Sequence, residues 1–345
     1  MSRHPAGGPH GGGRRARPRL RGWWLGLALV AAGCAPGLQA LREAPLPARA
    51  RVEGVPVVVQ TRDRCGPASL AMVLAWAGSP ADPRDLGPRV FTPGRRGTFP
   101  MDLAREARSR GLLAYRVRPD PADLLAEVAA GRPVLVLENR GLSWWPVYHY
   151  SVLVGYDRDL GEAVLHAGAG HPEGIRLATL LRTWRRAGSF GLVVLPPGEL
   201  PAARDPRGIL RALADLEEAG AHAAAAAGYG AFLARWPGEW RAALGLGACL
   251  QALGDGAGAV EALLRAHALA PARPEPLNNL ALVLAGAGRR KEALERAREA
   301  VAAARRLGMD PAPYRDTLAR ILAGDGVRAP GPGGTPSGGR PPGRP

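Results

Sequence analysis

Cys65 stands in the run Gln60-Thr61-Arg62-Asp63-Arg64-Cys65-Gly66-Pro67-Ala68-Ser69, at the head of a helix-forming stretch. Pro67 suits the first turn of a helix, where a missing N–H costs nothing. The thiol therefore sits at a helix N-terminus, where the dipole and unpaired backbone N–H groups favour the thiolate, the nucleophilic form of sulfur. Gly66 removes bulk where a substrate backbone would approach. Gln60 can aim its carboxamide at the same spot and, with the Cys65 N–H, form a two-donor oxyanion hole for a tetrahedral acyl intermediate.

A nucleophilic thiol needs a base, and Tyr148-His149-Tyr150-Ser151-Val152-Leu153-Val154-Gly155-Tyr156 offers one at the start of an apolar strand. Side chains alternate along a strand, so His149 shares a face with Ser151 and Leu153 while Val152 and Val154 point the other way. A strand-borne His facing a helix-borne Cys is the arrangement that thiol catalysis requires. Trp144-Trp145 lies just before His149; two adjacent Trp cannot both face one core, so core and cleft-wall readings both stand. His166 and His171 lack a cysteine or acidic partner at ligand spacing, so no metal site is expected, and the proposed chemistry needs no cofactor.

Gln60…Cys65-Gly66-Pro67-Ala68-Ser69, followed by His149-Tyr150 and Gly155-Tyr156, resembles the bacteriocin-leader (double-glycine) peptidases. The resemblance is closer to their stand-alone relatives, the C39-like branch of papain-like cysteine peptidases, and covers about residues 52–198. It implies an α+β papain-like fold, Cys65 as nucleophile, His149 as general base and acid, Gln60 as oxyanion donor, and a peptide or protein substrate. The family's third member is an Asp on the strand after the histidine. Here that stretch reads Val164-Leu165-His166-Ala167-Gly168. His166 could orient His149 through a neutral hydrogen bond; Asp157 and Asp159 stand in the turn beyond the His149 strand, where Asp also serves turn geometry. Relatives that cut after double glycine are fused to export transporters, and no Gly-x4-Gly-Lys-Ser/Thr motif occurs here, so leader processing is only loosely implied.

The elements that must position these residues follow from periodicity. Helices are expected at Pro67–Ala77, Pro100–Arg110, Pro121–Ala130 and Leu177–Arg186, and strands at Pro133–Leu137, Tyr148–Tyr156, Glu162–His166 and Phe190–Leu195, with a short β-branched run at Val55–Val59. Helices first and adjacent strands after form an α+β pattern. From about residue 205 the chain shifts to Ala, Leu, Arg and Gly with helical spacing and matches itself at 34 residues. Trp240-Arg241-Ala242-Ala243 through Pro271 is one unit, Pro274 through Ala300 repeats it, and a weaker copy starts near Pro206. The pattern resembles tetratricopeptide repeats, about three units over 205–323, an all-α domain that implies a protein partner on its concave face. Asn278-Asn279 is a candidate polar contact there, or a solvent-facing pair.

At the N-terminus, Arg14 to Arg21 form a basic segment, Trp23 to Ala32 an apolar one, and Ala31-Ala32-Gly33-Cys34 closes it. This resembles a bacterial lipoprotein signal at 1–34 with Cys34 as the lipidated residue, although Ala31 stands where Leu is usual. It implies export and a lipid anchor in the cell envelope, facing the periplasm. Residues 35–51 read as a linker and the Gly/Pro-rich 324–345 as a disordered tail. The net charge of +16 does not signal nucleic acid, because the arginines are dispersed and Lys291 is the only lysine. The alternative to an enzyme is a catalytically inactive, peptidase-like envelope scaffold that acts through its repeats.

Overall fold

The computed structural model describes residues 41, 43–60, 64–92, 94 and 97–324. The expected signal segment with Cys34, the first part of the linker and the tail beyond Gly324 lie outside the described residues. The chain divides into two compact units, residues 1–44 and 45–345. Of the first, only Leu41, Glu43 and Ala44 are described; all that follows concerns the second.

Residues 49–195 combine helices with an antiparallel sheet. The strands are β1 (Arg49–Arg51), β4 (Leu113–Arg116), β5 (Val134–Asn139), β6 (Tyr148–Asp157), β7 (Glu162–His166), β8 (Glu173–Arg176) and β9 (Gly191–Leu195). They form one sheet in the order β4-β9-β5-β6-β7-β8, with β1 pairing with the far half of β6. β2 (Phe91–Thr92) and β3 (Gly97–Thr98) make a separate hairpin. The helices are α1 (Cys65–Trp76), α2 (Pro83–Val90), α3 (Pro100–Ser109), α4 (Pro121–Ala129) and α5 (Leu177–Arg186). Three Pro-led helices (α2, α3 and α4) start on the residue type whose fixed φ suits a first turn.

α1 is the pivot of this half. Its residues from Gly66 to Leu74 are all buried, so it lacks the single apolar face expected of a surface helix. It packs against the sheet through β5 and β6 and against α2 and α3. Two sequence expectations change here. Val55–Val59 forms no strand. The expected linker ends earlier, because β1 pairs with β6 and Tyr156 donates to the Pro47 carbonyl at 3.2 Å.

The second half is helical: α6 (Pro206–Glu218), α7 (His222–Arg235), α8 (Trp240–Ala252), α9 (Gly256–Leu269), α10 (Pro274–Gly286), α11 (Arg290–Arg306) and α12 (Ala312–Ala323). α6, α8 and α10 begin at 206, 240 and 274, and α7, α9 and α11 at 222, 256 and 290, the 34-residue period seen in the sequence. Each helix packs on the next, and α6, α8, α10 and α12 also touch their second neighbours. Gly247 allows the α8–α9 approach: a Cβ there would lie 2.6 Å from Leu263 Cγ.

The two halves are joined by polar bonds, the innermost of them at Glu127. Glu127, fully buried on α4, accepts from the Ala202 and Ala203 N–H groups at 3.0 and 3.1 Å. Burial pushes its carboxyl above the ordinary range, against those two bonds and Arg132. Asp205 caps α6 through the Gly208 N–H and accepts from Tyr115 on β4, while Arg108 pairs with Asp215 at 3.1 Å. A cavity of about 760 Å³ opens along this seam, lined by Phe99, Phe190, Arg116 and Arg211 among others.

Candidate active site

Cys65 is the first residue of α1 and is half-buried. The Arg64 side chain does not cap this helix and its first turn holds no acid. Gly66 has a packing role: a Cβ at that position would lie 2.7 Å from Thr98 Cβ, so its bareness lets the β2–β3 hairpin close on the helix start.

Ser69 lies one turn along α1 on the Cys65 face. Its hydroxyl donates to the Tyr150 carbonyl at 3.1 Å and faces Gln60 Nε2 at 3.3 Å. A hydroxyl has one proton to give. With that proton on Tyr150, Ser69 can only accept from Gln60, which turns the Gln60 nitrogen toward it and leaves a second Nε2 hydrogen free. Gln60 Oε1 is buried and has no partner among the described residues. The Tyr150 hydroxyl donates to the Thr98 carbonyl at 3.0 Å, and its ring meets Phe190 edge-on at 6.5 Å. Burial and then the charge of Cys65 raise the pKa of Tyr150, and Thr98 lies between the helix start at Gly66 and the Tyr150 hydroxyl.

His149 opens β6 and is half-buried. Its Nε2 lies 3.0 Å from the Ala167 carbonyl. A carbonyl only accepts, so Nε2 carries the proton and Nδ1 keeps its lone pair, the tautomer a general base needs. Burial, with help from Arg140, holds the imidazole below its ordinary range, against the Ala167 bond and the charges of Glu138 and Glu173. The next residue along, Gly168, has φ +111 and its carbonyl accepts from the Gln60 N–H at 3.2 Å. A Cβ on Gly168 would lie 2.8 Å from Gln60 Cβ. The Ala167-Gly168 bend thus holds both the candidate base and the candidate oxyanion donor.

None of the three candidates for the third role, His166, Asp157 and Asp159, takes the His149 Nε2 bond, which goes to Ala167. His166 is buried, with Nδ1 3.3 Å from the Pro56 carbonyl, and burial lowers its pKa. Asp157 Oδ1 accepts from the Asp159 and Leu160 N–H groups, both at 2.9 Å. It is the last residue of β6 and its side chain serves the turn, roughly 26 Å from His149 at about 3.3 Å per strand residue. The neighbouring carboxylate is Glu138, directly opposite His149 in the β5–β6 register and 1% exposed. It accepts from Ser151, Thr183 and Arg140 at 2.7, 2.9 and 3.1 Å. A Glu within the apolar run Val134-Leu135-Val136-Leu137-Glu138 was the available signal, since a buried acid in a strand must be satisfied.

His171 is exposed, with Nδ1 against the Pro172 carbonyl. Among the described residues no cluster of His, Cys, Asp and Glu is placed to hold a metal ion. Cys249 is fully buried and burial raises its thiol pKa, so it is no competing nucleophile. Trp144 and Trp145 are 79% and 72% exposed, so neither is a core residue.

No curated protein matches the chain. Among solved structures, a C39-like peptidase from Bacillus anthracis is 18% identical, with TM-score 0.38, covering 43% of this chain and 97% of its own. The peptidase domain of Streptococcus ComA, a bi-functional ABC transporter of a quorum-sensing pathway, is 19% identical with TM-score 0.34, covering 41% and 99%. The Yersinia enterocolitica type III secretion translocator chaperone SycD is 19% identical with TM-score 0.32, covering 35% and 94%. Residues 52–169, the stretch that runs from before Gln60 to just past the Ala167-Gly168 bend, match the Peptidase_C39 like family.

Proposed function

We propose that residues 52–198 form a cysteine peptidase that hydrolyses peptide bonds. Cys65 Sγ attacks the substrate carbonyl, the developing oxyanion takes hydrogen bonds from Gln60 Nε2 and the Cys65 N–H, and His149 passes the thiol proton to the leaving amine. Water, deprotonated by His149, then releases the acyl group. No cofactor enters the cycle. The observation that carries this reading is the Ala167-Gly168 bend, whose carbonyls hold the His149 ring and the Gln60 backbone. The family match over 52–169 supports the same reaction class.

Around this domain the sequence supports export and anchoring through Cys34 on the periplasmic side of the envelope. The 34-residue recurrence of helix starts supports tetratricopeptide repeats that bind a protein partner. The experiment is cleavage of a random peptide library, read by mass spectrometry, by the wild-type chain and by Cys65→Ala. The expected result is cleavage by the first alone; equal cleavage by both overturns the assignment.

A second reading, an inactive envelope scaffold acting through the repeats, is favoured by one observation: the His149 ring bonds a carbonyl and not a carboxylate. A carbonyl stabilises imidazolium less than an anion does. Absence of cleavage by the wild-type chain, with partner binding by the repeats intact, selects it.

A further inference from the structure

The turn between β5 and β6 is closed by internal hydrogen bonds and carries apolar side chains at its tip. Arg140 N–H donates to the Val147 carbonyl at 2.8 Å, and Leu142 and Trp145 exchange backbone bonds at 3.0 and 3.2 Å. Asn139, 2% exposed, accepts from both the Gly141 and Val147 N–H groups at 3.0 Å. This frame presents Leu142, Trp144, Trp145, Val147 and Tyr148 to solvent, from 49% exposed at Leu142 to 79% at Trp144. Five large apolar side chains exposed within seven residues of one turn are the make-up of an interaction surface.

Two features say what covers it. Tryptophans that line a cleft are covered on one ring face by the opposite wall, whereas these two stand 72% and 79% exposed and protrude. A cation stands at the base of the turn: Arg186 donates to the Asn139 carbonyl at 3.0 Å, and its helix, α5, also carries the exposed Arg185 and Arg182. Among the described residues none of these three arginines pairs with a carboxylate, so their charge is available to an outside anion. Trp and Tyr favour the bilayer–water interface, and Arg at the rim attracts anionic headgroups.

We propose that the 141–147 turn is a membrane-contacting wedge, which seats Trp144 and Trp145 in the interface of an anionic lipid bilayer while Arg182, Arg185 and Arg186 meet the headgroups. The contact is separate from any acyl anchor and from the peptidase reading. It would hold the mouth of the His149 strand against the membrane surface.

The test is hydroxyl-radical footprinting of the full chain, free and bound to vesicles, with oxidation read residue by residue. On vesicles of phosphatidylglycerol and phosphatidylethanolamine, oxidation of Trp144 and Trp145 is expected to fall about tenfold. Met101, 73% exposed on another element, is the internal control and keeps its rate. Unchanged Trp144 and Trp145 oxidation in vesicle-bound protein overturns the proposal, and so does equal protection on neutral phosphatidylcholine vesicles. In a Cys34→Ser background, Trp144→Ala/Trp145→Ala should lower partition into the anionic vesicles about tenfold. If that variant partitions as before and instead raises KM for a soluble peptide, the turn serves a peptide substrate and the membrane proposal fails.

Discussion

His149 Nε2 faces the Ala167 carbonyl at 3.0 Å, and the following residue, Gly168, takes the Gln60 N–H at 3.2 Å. Two adjacent carbonyls on one bend therefore set the position of a strand-borne imidazole and of the segment that approaches the head of α1. The His149 ring is thus held by a backbone carbonyl and not by an acidic side chain. The tautomer is fixed equally well, but the charge opposing an imidazolium is smaller.

Gly168→Ala tests that bend. The residue has a positive φ and its Cβ would press on Gln60, so the bend and the Gln60 backbone must shift together. Peptide hydrolysis is expected to fall at least tenfold in kcat, with a stability loss of about 1–3 kcal/mol in a urea melt. A variant as active as the wild type would free the bend of any part in the site.

Ser69→Ala removes a hydroxyl that the Tyr150 carbonyl and Gln60 Nε2 both use. Leaving these groups unpaired costs about 1–3 kcal/mol. The expected activity loss is in kcat more than in KM, about tenfold or more, because the Gln60 carboxamide loses the partner that orients it. Ser69→Thr, which keeps the hydroxyl, should recover part of kcat.

The pH profile follows from the direction of the His149 shift. The base must be neutral, and burial and Arg140 hold its pKa below the ordinary 6.5. Activity should therefore persist below that value and fall on its acid limb as pH drops through the lowered pKa. Arg140→Gln removes a cation that favours the neutral ring and leaves Glu138 less compensated. Both effects raise the His149 pKa, so the acid limb of kcat/KM should move to higher pH. A limb that stays put, or moves down, contradicts the assignment of His149 as base.

Glu127→Ala leaves the Ala202 and Ala203 N–H groups without their acceptor. The expected loss is about 1–3 kcal/mol. Limited proteolysis should then cut between 196 and 205, separating the sheet domain from the helices, at a rate the wild-type chain does not show.

The helices and strands that carry the site were legible because their periods are strong: α5 and β7 fall on the expected residues, and α1 and β6 within two residues of them. The 34-residue recurrence was equally plain. Short elements were not. β1, β4 and β8 hold three or four residues each, too few for alternation to register, and α2 begins and nearly ends on Pro. The third group at His149 was illegible for a different reason. Side-chain motifs report side chains, and Ala167 acts through a carbonyl that every residue type carries. The packing of Gly66 on Thr98 is illegible in the sequence, because no local pattern announces how that hairpin packs.

The most direct measurement is covalent trapping by a peptide bearing a thiol-directed electrophile, with the modified residue located by mass spectrometry. The account expects one adduct per chain, on Cys65, lost in Cys65→Ala and formed at least tenfold more slowly in His149→Ala. An adduct on Cys249, labelling that persists in Cys65→Ala, or an unchanged rate in His149→Ala would contradict it.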